Sequence, residues 1–303
     1  MLTQLQPTTA SAGHAERLFG GDKLFLRYNL QTRKWYANAR YSRIDDSIRT
    51  GAEFNRQIGN DRSEFEVGRS WIGHGGDWWK TKTFRTIYEF TQNNDGQVLA
   101  DRTTTEIGIV GVIDYTVQVQ YHNGREIQAG RLVDFDRVVL TGNIKPGDDL
   151  EMGIEAQVGD KMHVVSTRPA EQQKVRPFLN WNLNERLVLQ LVSTHVELGS
   201  KEGQEIFDAR VVDVHLTWQF DDRGSIRLSR RQRDVERNPD AYVGSVEELT
   251  HDVGGELLYS WKLNQQTDFN LGFSDSYNKD FDPGAIRPMQ RNWFMRLGYT
   301  LTF

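Results

Sequence analysis

From Trp293 to the final Phe303 the chain places a large apolar side chain at every odd position: Trp293, Met295, Leu297, Tyr299, Leu301 and Phe303. Arg296, Gly298, Thr300 and Thr302 fall between them. Successive side chains of an extended chain point to opposite faces, so the segment predicts a strand with one apolar wall and one polar wall. The same period recurs upstream. Leu257, Tyr259, Trp261 and Leu263 oppose Glu256, Ser260, Lys262 and Asn264; Thr267, Phe269, Leu271 and Phe273 oppose Asp268, Asn270, Gly272 and Ser274. Val212, Val214, Leu216, Trp218 and Phe220 oppose Asp213, His215, Thr217 and Gln219; Tyr115, Val117, Val119 and Tyr121 oppose Asp114, Thr116, Gln118 and Gln120. Near the start, Trp35, Ala37, Ala39 and Tyr41 oppose Asn38, Arg40 and Ser42. No helical three-four spacing competes over comparable lengths, so the chain reads as nearly all strand.

A free-ended aromatic strand is an exposed edge that pairs with other chains, and a closed barrel has no such edge. No stretch approaches the ~18 consecutive apolar residues a membrane helix needs. The mean hydropathy of -0.63 does not weigh against a membrane barrel, because only every second residue of each strand meets lipid. The 8 Trp, 10 Tyr and 15 Phe suit an interface where lipid meets water. The expected fold is therefore all-β: a closed, antiparallel, transmembrane up-and-down β-barrel of roughly 16 strands, within about 14 to 18. Residues 1–21 are expected as a loose N-terminal tail without a secretory leader, and residues 22–303 as the barrel.

Connection lengths support the same architecture. Tight turns are expected at Asn184-Glu185, at Asp221-Asp222-Arg223-Gly224 and at Asn264-Gln265, alternating with longer links through Gly199, Lys201 and Gly203, through Asn238-Pro239 to Thr250, and through Asn278 to Gly284. Membrane barrels have short turns at one end and long loops at the other. Asn94-Asp95-Gly96 and Asn123-Gly124 read as hairpin turns, because these residues accept a positive φ. Lys145-Pro146-Gly147-Asp148-Asp149 and Gly159-Asp160 read as further punctuation.

Absent cysteine excludes disulfide frameworks and thiolate metal sites. A net charge of -5, with no dominant basic patch, sets nucleic-acid binding aside. The histidines His14, His74, His122, His163, His195, His215 and His251 show no HExxH or paired metal spacing, so no metal and no cofactor is expected. Asp45-Asp46, Asp148-Asp149 and Asp221-Asp222 read as solvated turn residues, and Gly73-His-Gly-Gly76 as a loop without a following helix. A hydrolase would need Ser193 with His195, or Asp213 with His215, and no nucleophile motif surrounds them. A soluble glycan-binding protein would use Trp78 and Trp79 as stacking platforms.

By the phase of the alternation, the polar wall carries Asn38, Arg40, Gln118, Gln120, Asn180, Asn182, Arg227, Arg231, Arg233 and Arg296, with Glu151 and Glu155 as acidic members. In a barrel of this strand number wall side chains do not fill the interior, so these residues are expected either to line a polar passage that holds water, a plug or a ligand such as a small solute or glycan, or to form a solvated inner wall in which arginine and glutamate pair for stability. Arg69 and Arg230 break the pattern and point toward lipid; near a strand end each would snorkel to headgroups, as expected for Arg230 beside a long loop, whereas at mid-membrane each would cost roughly 2–4 kcal/mol.

The ending Tyr299, Leu301, Phe303 resembles the closing strand of bacterial outer-membrane barrels, whose terminal aromatic is read by the barrel-insertion machinery. Four segments in order carry a wider resemblance: Tyr41-Ser-Arg-Ile-Asp-Asp-Ser-Ile-Arg-Thr-Gly-Ala-Glu-Phe54, Leu216-Thr-Trp-Gln-Phe-Asp-Asp-Arg-Gly-Ser-Ile-Arg-Leu228, Leu258-Tyr-Ser-Trp-Lys-Leu-Asn-Gln-Gln-Thr-Asp-Phe-Asn-Leu-Gly-Phe-Ser-Asp-Ser-Tyr277 and the final strand. Together they resemble the carboxy-terminal barrel domain, of unknown function, found downstream of a carbohydrate-binding-like domain in bacterial outer-membrane proteins. The resemblance implies a non-catalytic protein of the Gram-negative outer membrane, in contact with its lipid and lipopolysaccharide. It also implies a porin-like passage or a membrane anchor for a carbohydrate-binding domain that is lost or separately encoded.

Overall fold

The computed structural model describes residues 16–18, 21–44, 59–128, 130–163, 168–264, 266–278 and 287–299. Leu301, Phe303, His14 and the Asp45-Asp46 pair lie outside them. The described residues form 16 strands and one 3-10 turn, Pro239–Ala241. Strand order is chain order, and each paired ladder is antiparallel. The chain clusters into two compact units, residues 1–112, 116–140 and 159–162, and residues 113–115, 141–158 and 163–303.

The first unit contains β1 (Glu16–Leu18), β2 (Gly21–Gln31), β3 (Trp35–Ile44), β4 (Asn60–Ile72), β5 (Trp79–Asn93), β6 (Val98–Gly111) and most of β7 (Tyr115–Gln128), with parts of β8 (Arg131–Ile144) and β9 (Leu150–His163). Register makes its two faces continuous. Tyr28 pairs with Ala39, Ala39 with Phe65, Phe65 with Tyr88; two levels along the same face, Arg69 pairs with Phe84, Phe84 with Ile107 and Ile107 with Val119. Because the side-chain period is two, these same pairings put every intervening residue on the opposite face.

The second unit contains β10 (Arg168–Asn184), β11 (Leu187–Ser200), β12 (Glu205–Gln219), β13 (Gly224–Arg237), β14 (Leu249–Lys262), β15 (Thr267–Asn278) and β16 (Arg287–Tyr299). Here Leu189 pairs with Leu216, Leu216 with Leu228, Leu228 with Leu257, Leu257 with Phe273 and Phe273 with Trp293. These rows carry the alternation read from the sequence.

The apolar face is uncovered. Phe65 is 55% exposed, Leu228 49% and Leu297 67%, and no large side chain among the described residues is fully buried. Among the described residues Ala170, Leu198 and Ile206 form a buried apolar grouping at the start of β10 and the junction of β11 and β12, with Phe207, Ala241 and Tyr242 packed on it. The connection 238–248 is held there by Asn238, whose backbone N–H donates to Ile206 O at 3.0 Å and whose Nδ2 donates to Glu205 O at 3.1 Å. Burial of its ring pushes the Tyr242 phenol above its ordinary pKa.

Several expectations are corrected. Asn123-Gly124 and Gly159-Asp160 are not turns, because β7 and β9 run through them. At φ values of 144° and 138°, Gly124 and Gly159 let a neighbouring strand approach so closely that a Cβ would lie 2.2 Å from Asp101 O and 2.2 Å from Asp136 O respectively. Strict alternation of connection lengths also fails. β11 continues to Ser200 and β12 begins at Glu205, so the link there is 201–204, no longer than 220–223 at the opposite end. Of the polar run that reads as loop, Gly199 and Ser200 are strand, with Gly199 still paired to Glu205 past a bulge. Within the expected N-terminal tail, Glu16–Leu18 pairs with Gly21–Lys23.

Candidate functional site: the polar face and the margins of the apolar face

In the first unit the polar face carries two rows of charge. Asn38 donates through Nδ2 to Glu66 at 2.7 Å, Glu66 lies 3.7 Å from Arg85, Arg85 pairs with Glu106, and Gln120 donates to Glu106 at 2.9 Å. The neighbouring row runs from Arg40 to Glu64 at 3.9 Å, Glu64 to Arg62 at 3.2 Å, Arg62 to Glu89 at 2.7 Å, Glu89 to Arg102 at 3.0 Å and Arg102 to Glu126 at 3.5 Å. Glu89 and Glu106 are buried beneath the arginines that hold them. A carboxylate in that setting needs its full set of partners, and charge-assisted bonds supply them.

The structure thus places Asn38, Arg40, Gln118 and Gln120 on one face, in or beside this network, with Gln118 also bonding Glu106. The central members Arg62, Glu64, Glu66, Arg85, Glu89, Arg102 and Glu106 escaped the sequence reading. Their signal was available as alternate positions opposite Phe65, Val67, Phe84 and Ile107. It was diluted by threonines on both faces of β6, at 103, 104 and 105.

In the second unit Asn180 pairs in register with Gln190 and Asn182 with Val188, while Lys174 donates to Glu155 at 2.7 Å. Arg231 holds Asp213 through Nε at 2.5 Å and Nη2 at 3.2 Å, and Arg233 pairs with Asp252. Arg231, Arg233, Asp252, Gly254 and Ser276 line an open recess of about 640 Å³. Arg227 lies on the same face opposite Thr217 and Leu258, and Arg296 opposite Asn270. The arginine side chains at 231 and 233 are 69% and 51% exposed, so each offers unused N–H donors to whatever meets this wall.

Neither sequence-suggested hydrolase pair forms. His195 bonds Asp208 at 2.6 Å, and Ser193 stands opposite Val212 on the apolar face. His215 bonds Ser229 at 2.9 Å through Nδ1, while Asp213 is occupied by Arg231.

The apolar face has two kinds of margin. At the end bearing the connections 32–34 and 73–78, the first unit gathers Trp35, Trp71, Trp78 and Trp79. The second unit gathers Trp218, Phe220, Tyr259, Trp261 and Phe269 at the end bearing 220–223 and 263–266, with Phe220 stacked 5.8 Å from Trp261. Arg69 sits among these rings, its guanidinium 5.0 Å from Trp35 and 4.8 Å from Trp71, and Lys82 lies 4.9 Å over Trp78 and 4.4 Å over Trp79. Cation–π contact is how a charge is kept in an otherwise apolar row.

At the opposite end the apolar rows become polar. In the first unit Arg43 lies 3.6 Å from Asp61 and Arg125 2.7 Å from Asp101. In the second unit one row reads His195, Arg210, Asp234, His251 across β11 to β14, with His251 bonded to Asp234. The next row begins Glu197, Asp208, Glu236. Arg230 lies two same-face steps from the first of these rows toward the apolar belt, opposite Val214 and Gly255.

No protein-family model matches the chain, and no curated protein sequence matches it. Among solved structures it is similar to an anion-selective porin from Comamonas acidovorans, at 9% identity and a TM-score of 0.45 over 92% of this chain and 85% of that one. It is also similar to OmpT, an outer membrane protein of Vibrio cholerae, at 8% identity and a TM-score of 0.36 over 89% of this chain and 92% of that one.

Proposed function

We propose that the antiparallel sheet closes on itself as an integral β-barrel of the bacterial outer membrane, non-catalytic, whose polar face lines a porin-like passage for small polar solutes. One observation carries this reading: strands that are apolar on one uncovered face, with tryptophan at one margin of that face and charge at the other. In water such a face costs roughly 25 cal/mol per Å² of apolar surface. In a bilayer it is the favoured surface, with aromatic rings at the headgroup level. Lipid and lipopolysaccharide then meet the apolar belt and its charged margin, and the barrel-insertion machinery delivers the chain. The same barrel could anchor a carbohydrate-binding domain without any change in its wall.

The test has two stages. The full chain, refolded into detergent or vesicles, is run on a gel with and without boiling; a closed barrel migrates faster unheated. Refolded protein is then added to a planar bilayer and conductance recorded. Heat-modifiable migration without channels removes the passage and keeps the barrel. A chain that is monomeric without detergent and shows no heat shift removes both.

A further inference from the structure

We infer that His195, Glu197 and Asp208 form a binding site for one divalent transition-metal ion on the apolar-face side of β11 and β12. One ligand atom from each lies within 4.8 Å of the other two, the only such grouping among the described residues. His195 Nε2 is 2.6 Å from Asp208 Oδ2 and 3.5 Å from Glu197 Oε1, so both carboxylates converge on one ring nitrogen. The strand ladder makes this arrangement. His195 and Glu197 are two apart on β11 and share a face, and Asp208 is the direct cross-strand partner of Glu197.

Ligand atoms about 2.0–2.2 Å from a tetrahedral metal are about 3.3–3.6 Å apart. Reaching that spacing from the present positions asks the His195–Asp208 pair to open by about 1 Å and the Glu197–Asp208 pair, within 4.8 Å, to close by at most about 1.5 Å. Binding moves the ring proton to Nδ1 and leaves the Nε2 lone pair on the metal. Asp208 is already oriented for one-oxygen ligation, because Arg210 Nε lies 3.3 Å from its Oδ1 and leaves Oδ2 toward the histidine. One imidazole with two carboxylates suits Zn²⁺, Co²⁺, Ni²⁺ or Mn²⁺, whereas Ca²⁺ and Mg²⁺ take all-oxygen sets. The three side chains are 36%, 51% and 20% exposed, so the remaining coordination positions open outward. The site needs only the β11–β12 ladder and does not depend on whether the barrel conducts.

The second histidine pair on this margin supplies the control. His251 bonds Asp234, and among the described residues no second carboxylate joins them in a three-ligand grouping. The full chain, folded in detergent and stripped with chelator, is titrated with Zn²⁺ by calorimetry and with Co²⁺ by visible absorption, and gel migration confirms that each variant folds. The expected result is one ion per chain, with a dissociation constant below about 10 µM and cobalt bands of low coordination number. His195→Gln and Glu197→Gln should each weaken binding at least about 10-fold, and His251→Gln should leave it unchanged. Asp208→Asn should behave like the first two if it folds; otherwise those two decide. Binding that survives His195→Gln, falls equally in His251→Gln, or is matched by Mg²⁺ overturns the inference.

Discussion

Placing an arginine at Leu271 and, separately, at Ser274 puts the same charge on the two faces of one strand. Leu271 is on the apolar face, 40% exposed, between Tyr259 and Met295 in register. Ser274 is on the polar face, between Glu256 and Asn292. If the apolar face meets hydrocarbon, Leu271→Arg costs about 2–4 kcal/mol near mid-belt. That is roughly a 30-fold to 700-fold change in the folding equilibrium. Ser274→Arg instead places a guanidinium across from Glu256 on a hydrated wall, where an exposed pair is worth about 0–1 kcal/mol in favour of folding. Denaturant unfolding of both variants in lipid vesicles, followed by tryptophan fluorescence, gives the two differences directly by linear extrapolation. Equal effects at the two sites, or a neutral Leu271→Arg in a chain soluble without detergent, would refute the assignment of faces to lipid and water.

Arg69→Ala removes contacts with two tryptophan rings and should cost about 1–2 kcal/mol, with a change in tryptophan emission; Arg69→Lys should recover part of the loss. Arg85→Ala leaves Glu66 and the buried Glu106 short of a partner and should cost about 2–3 kcal/mol in the same unfolding assay. A double-mutant cycle with Glu106→Gln should return a coupling above about 1 kcal/mol, and zero coupling would mean the pair does not form. Gly124→Ala should destabilise by more than about 1 kcal/mol, because its φ and the approach of Asp101 both exclude a Cβ; Gly147→Ala, with open space around it, should be neutral.

Face assignment was legible in the sequence because period two is a local property: Leu257 and Leu271 need no knowledge of their neighbours to be placed. What crosses between strands was not. Glu66 and Arg85 are nineteen positions apart in sequence and meet only through the β4–β5 register. Asp208 reaches His195 only because β12 returns beside β11, so a search for metal spacing along the chain passes over the three ligands. Glycine misled in a specific way. At Gly96 it sits in a turn, with Asp95 N and Gln97 N both donating to Asn93 Oδ1, whereas at Gly124 and Gly159 the same residue admits a close backbone inside a strand. Composition treats both alike, and only the register of the neighbouring strand tells them apart.

Among the described residues, charge on the apolar face is confined to its margins, and Arg230 marks where one margin begins. Toward the turn end its strand continues with Leu228, 49% exposed; toward the other end follow Gln232 and Asp234. The step from 228 to 230 is about 6.8 Å along the strand, enough to carry a guanidinium from hydrocarbon to headgroups when the side chain extends along the strand. Arg230→Leu adds one level to the apolar belt. In thin bilayers that level meets water or headgroups and the substitution should change stability by less than about 1 kcal/mol. In thicker bilayers hydrocarbon reaches the level of residue 230, where an arginine approaches the mid-membrane cost of about 2–4 kcal/mol and leucine escapes it. The variant should therefore gain on the parent as acyl chains lengthen, measured by unfolding in a series of vesicles. A difference that does not vary with chain length would mean that residue 230 is not at a boundary, and that the polar rows beyond it are not the edge of a membrane belt.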